Sequence, residues 1–121
     1  MNLTELSVLL LKECGESRER FFSKREQDAE ADFFNEVKPY ADEWHLIIQE
    51  WKTEADRFIR QNRPKHIHFI QIENAADGMT QFIVQSFYKE TGKKRFIQTI
   101  QAAEYTLQTL IRAIEETGEE R

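Results

Sequence analysis

The sequence predicts an all-α protein that folds as an antiparallel, up-and-down four-helix bundle. Apolar residues recur three or four positions apart in four successive segments, the spacing that places side chains on one face of a helix. The 121 residues include only four Gly and two Pro, too few turn-forming residues for a many-stranded sandwich or barrel. Short connections place consecutive helices antiparallel, so the four apolar faces can share one core. We expect residues 1–121 to form a single domain, because this length suits one core and no linker or repeat divides the chain.

The first helix is predicted over residues 3–25. Asn2 or Thr4 can cap its start, and the polar, acidic stretch of residues 26–32 is predicted to be a turn or a frayed junction. Cys14, the only cysteine, lies on the apolar face with no histidine nearby in the sequence, so we interpret it as a core residue rather than a reactive thiol. The apolar face contains Leu3, Leu6, Leu10, Cys14, Ser17 and Phe21.

The second helix is predicted to be the longest element, and it ends before Pro64 because proline disfavours helical backbone at the residue preceding it. Pro39 lies inside the apolar pattern. Because proline lacks a backbone N–H and clashes with the preceding turn, we expect the helix to kink there or to restart with Pro39 in its first turn. The apolar face contains Phe33, Val37, Ala41, Trp44, Ile48, Trp51, Ala55 and Phe58.

The third helix is predicted over residues 70–88 and the fourth over residues 94–117, with a turn at residues 89–93 that contains Gly92. An up-down-up-down topology puts the first and third connections at one end of the bundle. The second connection and both termini then lie at the other end. The two apolar faces contain Ile72, Ala75, Ala76, Met79, Phe82, Ile83 and Phe87 in the third helix, and Phe96, Ile100, Ala103, Leu107, Leu110, Ile111 and Ile114 in the fourth.

Charge and hydropathy disfavour several classes of partner. The formal net charge is −5, whereas a nucleic-acid-binding protein normally carries an excess of positive charge on one face, so direct nucleic-acid binding is not expected. The longest aliphatic run, Val8 to Leu11, is far shorter than the roughly 20 residues that span a bilayer. The N-terminal residues lack the basic region of a signal peptide, and a lone cysteine suits a reducing compartment. We therefore expect a cytoplasmic protein without a membrane partner.

The three histidines do not predict a metal site. His45 lies in the second helix, roughly 25 Å from the connection that carries His66 and His68 at 1.5 Å per helical residue. Asp42 and His45 have the spacing of one half of a di-iron site, but no second pair accompanies them. The sequence also lacks a glycine-rich phosphate loop, a nucleophile elbow and a Cys-x-x-Cys motif. We expect no catalytic residues, no metal and no cofactor, and hence no enzyme.

The second connection gathers cationic and titratable side chains. Arg63, Lys65, His66 and His68 can receive an anion or an acidic segment of a partner. The alternative is local charge balance, because the predicted topology brings an acidic tail to the same end. That tail contains Glu115, Glu116, Glu119 and Glu120.

Aromatic residues concentrate near the opposite end of the predicted bundle. They either form a satellite core that closes this end or include exposed rings that bind a partner or a second copy. Adjacent aromatic residues cannot all face one core, so Phe22, Phe34 and Tyr88 are the candidates for exposure. The full set is Phe21, Phe22, Phe33, Phe34, Phe87, Tyr88 and Phe96.

The chain resembles the YppE-like family of small proteins from Gram-positive bacteria. The resemblance rests on four segments in the expected order: FFNEVKPYAD at 33–42, EWKTEADRFI at 50–59, RPKHIHFIQI at 63–72 and KRFIQTIQAAEYTLQTL at 94–110. It implies an up-and-down four-helix bundle, in agreement with the periodicity. It implies no activity, since the family has no assigned function.

Two functional hypotheses follow from these observations. The first is a non-enzymatic protein-interaction module, or a self-associating one, whose surface comes from Phe22, Phe34 and Tyr88 or from the cationic connection. The second is a bundle that binds a small ligand or a metal through Asp42 and His45, with Gln85 or carboxylates of the third helix.

Overall fold

The computed structural model describes residues 1–118, which form four α-helices and one short π-helical turn directly before the second helix. Consecutive helices are neighbours in the bundle, and the fourth packs against the first. No strand occurs among residues 1–118, and the predicted all-α four-helix bundle is confirmed. The elements are α1 (Leu3–Glu26), the π turn (Phe33–Val37), α2 (Lys38–Asn62), α3 (Phe69–Gln85) and α4 (Lys93–Thr117).

A reciprocal cap fixes the start of α1. The Asn2 side chain accepts a hydrogen bond from the Glu5 backbone N–H at 2.8 Å, and the Glu5 carboxylate accepts one from the Asn2 N–H at 3.0 Å. Asn2 is therefore the cap, rather than Thr4. Every residue of the predicted apolar face of α1 is buried, including Cys14.

Pro39 lies in the first turn of α2, as one of the two alternatives predicted. In the π turn, the N–H of Val37 donates to the Asp32 carbonyl at 3.1 Å, five residues earlier. A proline in a regular helix would clash with the carbonyl four residues before it, and the wider π turn relieves that conflict. The extra residue in this turn also rotates Phe33 away from the buried face of α2. Phe33 is 46% exposed, so the prediction that it belongs to the core is wrong.

The third helix ends at Gln85, three residues earlier than predicted. The buried Ser86 hydroxyl donates to the Ile83 carbonyl at 2.6 Å, and the N–H groups of Phe87 and Tyr88 donate to carbonyls only three residues back. These tighter turns end α3 while keeping Phe87 buried. Gly78 lies where α3 meets α4, and a Cβ there would approach the Thr99 methyl group to 3.1 Å.

One continuous core joins all four helices and includes Ile67 of the second connection. Trp51 is its largest fully buried side chain, and its indole N–H donates to the Ser7 hydroxyl at 3.0 Å. The apolar faces predicted for the third and fourth helices are buried, apart from the half-buried Ile111.

The first and third connections meet at one end of the bundle. The Lys89 ammonium group lies 2.9 Å from the Asp28 carboxylate and 2.8 Å from the Glu30 carboxylate, so one side chain joins both connections. This contact brings the first and third connections to one end of the bundle, as predicted. None of the helices within residues 1–118 is both long and apolar enough to cross a membrane.

Candidate functional site

The second connection is shaped by the way α2 ends. Arg63 adopts left-handed backbone angles (φ 45°, ψ 57°), and its N–H donates to the Ile59 carbonyl at 2.9 Å, which closes the helix. Ile67 is fully buried and holds the connection against the core. Between these two points Lys65 and His66 remain exposed. The connection is thus anchored at Ile67 and presents cationic groups to solvent.

These groups line a groove of about 540 Å³ together with the C-terminal part of α4. We call this groove the basic cleft. Arg112 of α4 brings a third full positive charge beside Arg63 and Lys65, and Glu116 brings the one carboxylate among the described lining residues. The complete lining is Arg63, Pro64, Lys65, His66, Tyr105, Thr109, Arg112, Ala113, Glu116 and Thr117.

The cations of the basic cleft make no ion pair with any residue in the described range 1–118. Elsewhere in the fold, by contrast, Arg57 and Arg60 pair with carboxylates on their own helix. Neither Glu115 nor Glu116 forms an ion pair within the described residues, and Glu119 and Glu120 lie outside them. Like charges without an ion pair to a described residue repel one another and raise the local positive potential, which attracts anions.

His68 lies outside the basic cleft, although the sequence grouped it with Arg63, Lys65 and His66. It is the N-cap residue of α3, and its backbone N–H donates to the Gln71 side-chain oxygen at 2.7 Å. The sequence does not predict the wall that α4 contributes to the cleft, in which Arg112 and Tyr105 are the largest side chains. Arg112 and Tyr105 share one face of α4 by their spacing of seven, but only the packing of α4 beside the connection shows that this face lines the cleft.

The aromatic residues at the opposite end divide into two groups. Phe21, Phe87 and Phe96 are buried, and the Phe21 and Phe96 rings stack with centroids 4.3 Å apart. The other group is exposed: Phe22 by 40% and Phe34 by 76%. The satellite core is therefore present, and Phe22, Phe33 and Phe34 are exposed beside it; that the exposed rings bind a partner stays a prediction.

Phe22, Phe34 and Tyr88, the residues predicted to be exposed, do not share a ring contact, and Tyr88 is only partly exposed. Phe22 packs against Phe21 and lies under the Lys93 ammonium group, whereas Phe34 packs edge-to-face on Phe33 at 5.2 Å. Tyr88 is half-buried and makes no aromatic contact with another described residue. The structure thus gives separate rings rather than one aromatic surface.

A buried polar cluster joins α1, α2 and the end of α3. The Glu13 carboxylate, only 2% exposed, accepts hydrogen bonds from Tyr40 at 2.5 Å and from Ser17 at 2.9 Å. Arg20 lies 3.3 Å from the same carboxylate and donates to the Tyr40 hydroxyl at 2.7 Å and to the Ser86 hydroxyl at 2.8 Å.

The guanidinium group of this cluster lies between two aromatic rings. Its central carbon is 4.4 Å from the Tyr40 ring centroid and 4.6 Å from that of Phe87. Burial, and next the hydrogen bond donated to Glu13, raise the pKa of Tyr40 to about 12. Each carboxylate oxygen of Glu13 already has a donor, so the cluster fixes the packing of α2 on α1 and α3. The signal in the sequence was that Glu13 and Arg20 continue the three-four spacing of the buried face after Leu10.

The residues proposed for a metal or small ligand line a different groove between α2 and α3, of about 300 Å³. Asp42 and His45 both contribute to it, but Gln85 does not. The Asp42 carboxylate is held 2.6 Å from the Lys38 ammonium group. No group of three potential metal ligands occurs among residues 1–118.

By its fold and surface, the protein is a small four-helix bundle with an open cationic cleft at one end. The chain belongs to the family described as a bacterial domain of unknown function, DUF1798, whose model matches residues 7–114. It is similar to uncharacterized protein YppE of Bacillus subtilis (strain 168), with 28% identity over 105 residues that cover 87% of this chain and 85% of the relative. The resemblance to the YppE-like family is confirmed.

Solved structures share the same fold. The crystal structure of YppE from Bacillus subtilis matches with a TM-score of 0.91 and 26% identity, over 96% of this chain and 94% of that chain. A protein of unknown function from Listeria innocua matches with a TM-score of 0.90 and 24% identity, over 98% and 94% of the two chains. A DUF1798 protein from Staphylococcus aureus matches with a TM-score of 0.84 and 23% identity, over 93% and 95%. The last two support the fold alone.

Proposed function

We propose that this protein is a non-enzymatic protein-interaction module that receives an acidic segment of a partner protein in the basic cleft. The observation that carries this proposal is the convergence of Arg63, Lys65 and Arg112 on one groove without an ion pair to a described residue. Bringing like charges together costs stability, and an acidic partner segment offsets that cost.

The shape and charge of the cleft favour a short acidic peptide over a nucleic acid. Its cations occupy one groove at the end of the bundle, whereas nucleic-acid surfaces spread positive charge over a whole face, and the chain carries a net charge of −5. Exposed ion pairs contribute only about 0.2–1 kcal/mol each, so the affinity should be weak and should fall as salt is added.

The other two surfaces support an interaction less well. Phe22, Phe34 and Tyr88 lie apart, and the two Phe rings are each packed on a neighbouring Phe. The groove with Asp42 and His45 has its carboxylate engaged by Lys38. We therefore place the contact at the basic cleft.

Titration of the ¹⁵N-labelled protein with acetylated, amidated tetraglutamate tests this proposal. The expected result is saturable shifts of the backbone amides of residues 63–68 and 105–117, which disappear in high salt. Arg112→Glu should weaken binding by about tenfold or more, since reversing a charge removes an attraction and adds a repulsion.

Arg95→Glu is the matched control. It reverses the same charge at an exposed residue of α4 at the far end of the bundle, so tetraglutamate binding should stay within about twofold of the parent protein. Shifts that are absent at millimolar peptide, or that both variants reduce equally, would show that the cleft is not the binding site.

A further inference from the structure

One face of α4 runs along two grooves that meet end to end. Residues Ala102, Tyr105, Thr109 and Arg112 recur three or four positions apart and therefore share this face. The part of the face after Tyr105 lines the basic cleft. The part before it lines a second groove, between α3 and α4, of about 340 Å³.

The second groove differs chemically from the cleft because none of its described lining residues is charged. Gln71 and Asn74 of α3 supply amide groups at its edge, and Ala75 and Ala103 are buried small residues at its base. The full lining is Gln71, Asn74, Ala75, Thr99, Ala102, Ala103, Tyr105 and Thr106.

Tyr105 lines both grooves and is 63% exposed. Tyrosine is among the residues that contribute most to binding at interfaces, because it combines a large apolar ring with a polar hydroxyl group. Because Tyr105 lies at the boundary, the two grooves form one continuous surface. This surface is cationic on one side of Tyr105 and uncharged on the other.

We infer that the two grooves form one track for an extended peptide, acidic where it crosses the basic cleft and uncharged where it lies between α3 and α4. This inference rests on the proposed function and specifies the partner segment. From Thr99 to Thr117 the track is roughly 27 Å long at 1.5 Å per helical residue. An extended chain of about eight residues covers that distance.

The uncharged half of the peptide is recognised through its backbone. The Gln71 side-chain oxygen already accepts the His68 N–H, so its NH₂ group is the part that can donate to a peptide C=O, whereas the Asn74 amide can both donate and accept. The small residues Ala102 and Ala75 leave room for the chain to lie close to the helices, and Tyr105 packs on the peptide where its acidic half ends.

The test compares tetraglutamate with two eight-residue peptides, in which Ala-Thr-Ala-Thr follows or precedes the four glutamates. One of the two should bind about fivefold tighter than tetraglutamate, as one or two added net hydrogen bonds allow. Its amide shifts should extend from the basic cleft to residues 71–75 and 99–106. Which of the two octapeptides binds more tightly shows the direction in which the peptide runs along the grooves.

Ala102→Phe fills the second groove and should remove the gain from the longer peptide while leaving tetraglutamate binding unchanged. Gln101→Phe is the matched control, since it adds the same ring at the neighbouring exposed position on a different face of α4. It should keep the gain.

Equal affinity of all three peptides, without shifts at residues 71–75, would overturn the track and leave the proposed function standing. Failure of tetraglutamate itself would remove both. Adenosine monophosphate and increasing concentrations of the protein are titrated in parallel. If either shifts both grooves when the peptides do not, the occupant is a nucleotide or a second copy and the inference falls.

Discussion

Arg63 is a non-glycine residue with left-handed backbone angles at the end of α2. Such angles bring Cβ close to the following carbonyl and cost an L-residue about 1–2 kcal/mol, a cost that glycine avoids. Glycine is the usual residue at this position of a helix end. The cost is consistent with a role for the guanidinium group, because it places a charge in the basic cleft that glycine cannot supply.

Arg63→Gly should therefore raise the free energy of unfolding by about 1 kcal/mol while weakening tetraglutamate binding. Urea denaturation measures the first effect and the peptide titration measures the second. Arg63→Lys should keep the strain and most of the binding. A loss of stability in the glycine variant would show that the arginine side chain supports the fold itself.

Tyr40 gives the fold a dependence on alkaline pH. The raised pKa of about 12 means that the folded protein holds the phenol proton more tightly than the unfolded chain, whose tyrosine titrates near 10. The resulting stabilisation is complete below pH 10 and is lost as the pH rises from 10 to 12. Stability should therefore fall over this window.

Tyr40→Phe should make the decline between pH 10 and 12 shallower, as measured by urea unfolding at fixed pH values. The buried Cys14 thiol, whose pKa is also raised to about 12, contributes a decline over the same window that remains in this variant. The variant should also be less stable at neutral pH by about 1–2 kcal/mol, because the Glu13 carboxylate and the Arg20 guanidinium lose a buried hydrogen-bond partner. Tyr105→Phe, at an exposed phenol, serves as the control. If it flattens the profile as much as Tyr40→Phe, the buried cluster is not the source of the pH dependence.

At the scale of elements, the π turn sets how the chain enters α2. Its wide turn separates Phe33 and Phe34 from the buried face and accommodates Pro39. Asp32 caps this segment by accepting the Asn35 N–H at 3.1 Å. We expect the exposed positions of the two Phe rings to depend on Pro39, further along the chain.

Pro39→Ala should convert the π turn to regular α-helix, since the clash with the preceding carbonyl disappears and a backbone N–H is regained. Changing the hydrogen bonds of this turn from a five-residue to a four-residue span shifts the register by one residue, which rotates residues 33–37 by up to about 100° relative to α2. Carbon chemical shifts of residues 33–38 should change, while those of residues 45–60 stay constant. If the π turn stays unchanged in this variant, the Asp32 cap rather than Pro39 is its cause.

Helix positions could be predicted because each apolar face follows the helical period. The π turn could not, since periodicity alone does not distinguish a restart at Pro39 from a continuous helix that includes Phe33. The early end of α3 depends on the Ser86 hydroxyl bonding to its own helix, a local choice that the apolar pattern at Phe87 conceals. The pairing of buried Glu13 with half-buried Arg20 could not be predicted, because charged residues normally lie at the surface.

At the candidate site, the cations of the second connection could be predicted from the sequence. The wall of the basic cleft that α4 forms could not. Arg63, Lys65 and His66 are close in sequence beside Pro64, so their proximity is guaranteed by the chain itself. Arg112 is remote in sequence and reaches the cleft only through the packing of α4. His68 was assigned to the same group because spacing in a connection does not reveal which residue becomes a helix cap.

At the scale of the whole molecule, the four helices share one core that includes Cys14. We therefore expect the Cys14 thiol to become exposed only when the bundle unfolds. Cys14 is fully buried, and burial raises its pKa to about 12, so the reactive thiolate is scarce at neutral pH. Native protein should react with the thiol reagent DTNB far more slowly than protein unfolded in urea. The labelling rate should rise with urea in parallel with global unfolding measured by circular dichroism.

Fast labelling in the absence of urea would contradict this picture. It would show that α1 opens without the rest of the bundle. Because Cys14 is the only cysteine, the measurement needs no substitution.

The two tryptophans sit in different surroundings on the same helix. Trp51 is sealed in the core with its indole N–H bonded to Ser7, whereas Trp44 is half-buried beside the Tyr40 ring at 6.1 Å. Indole emission shifts to longer wavelength when water can relax around the ring. A variant that keeps only Trp51 should therefore emit at a shorter wavelength than one that keeps only Trp44. The first would report on the dry core and the second on the surroundings of Tyr40.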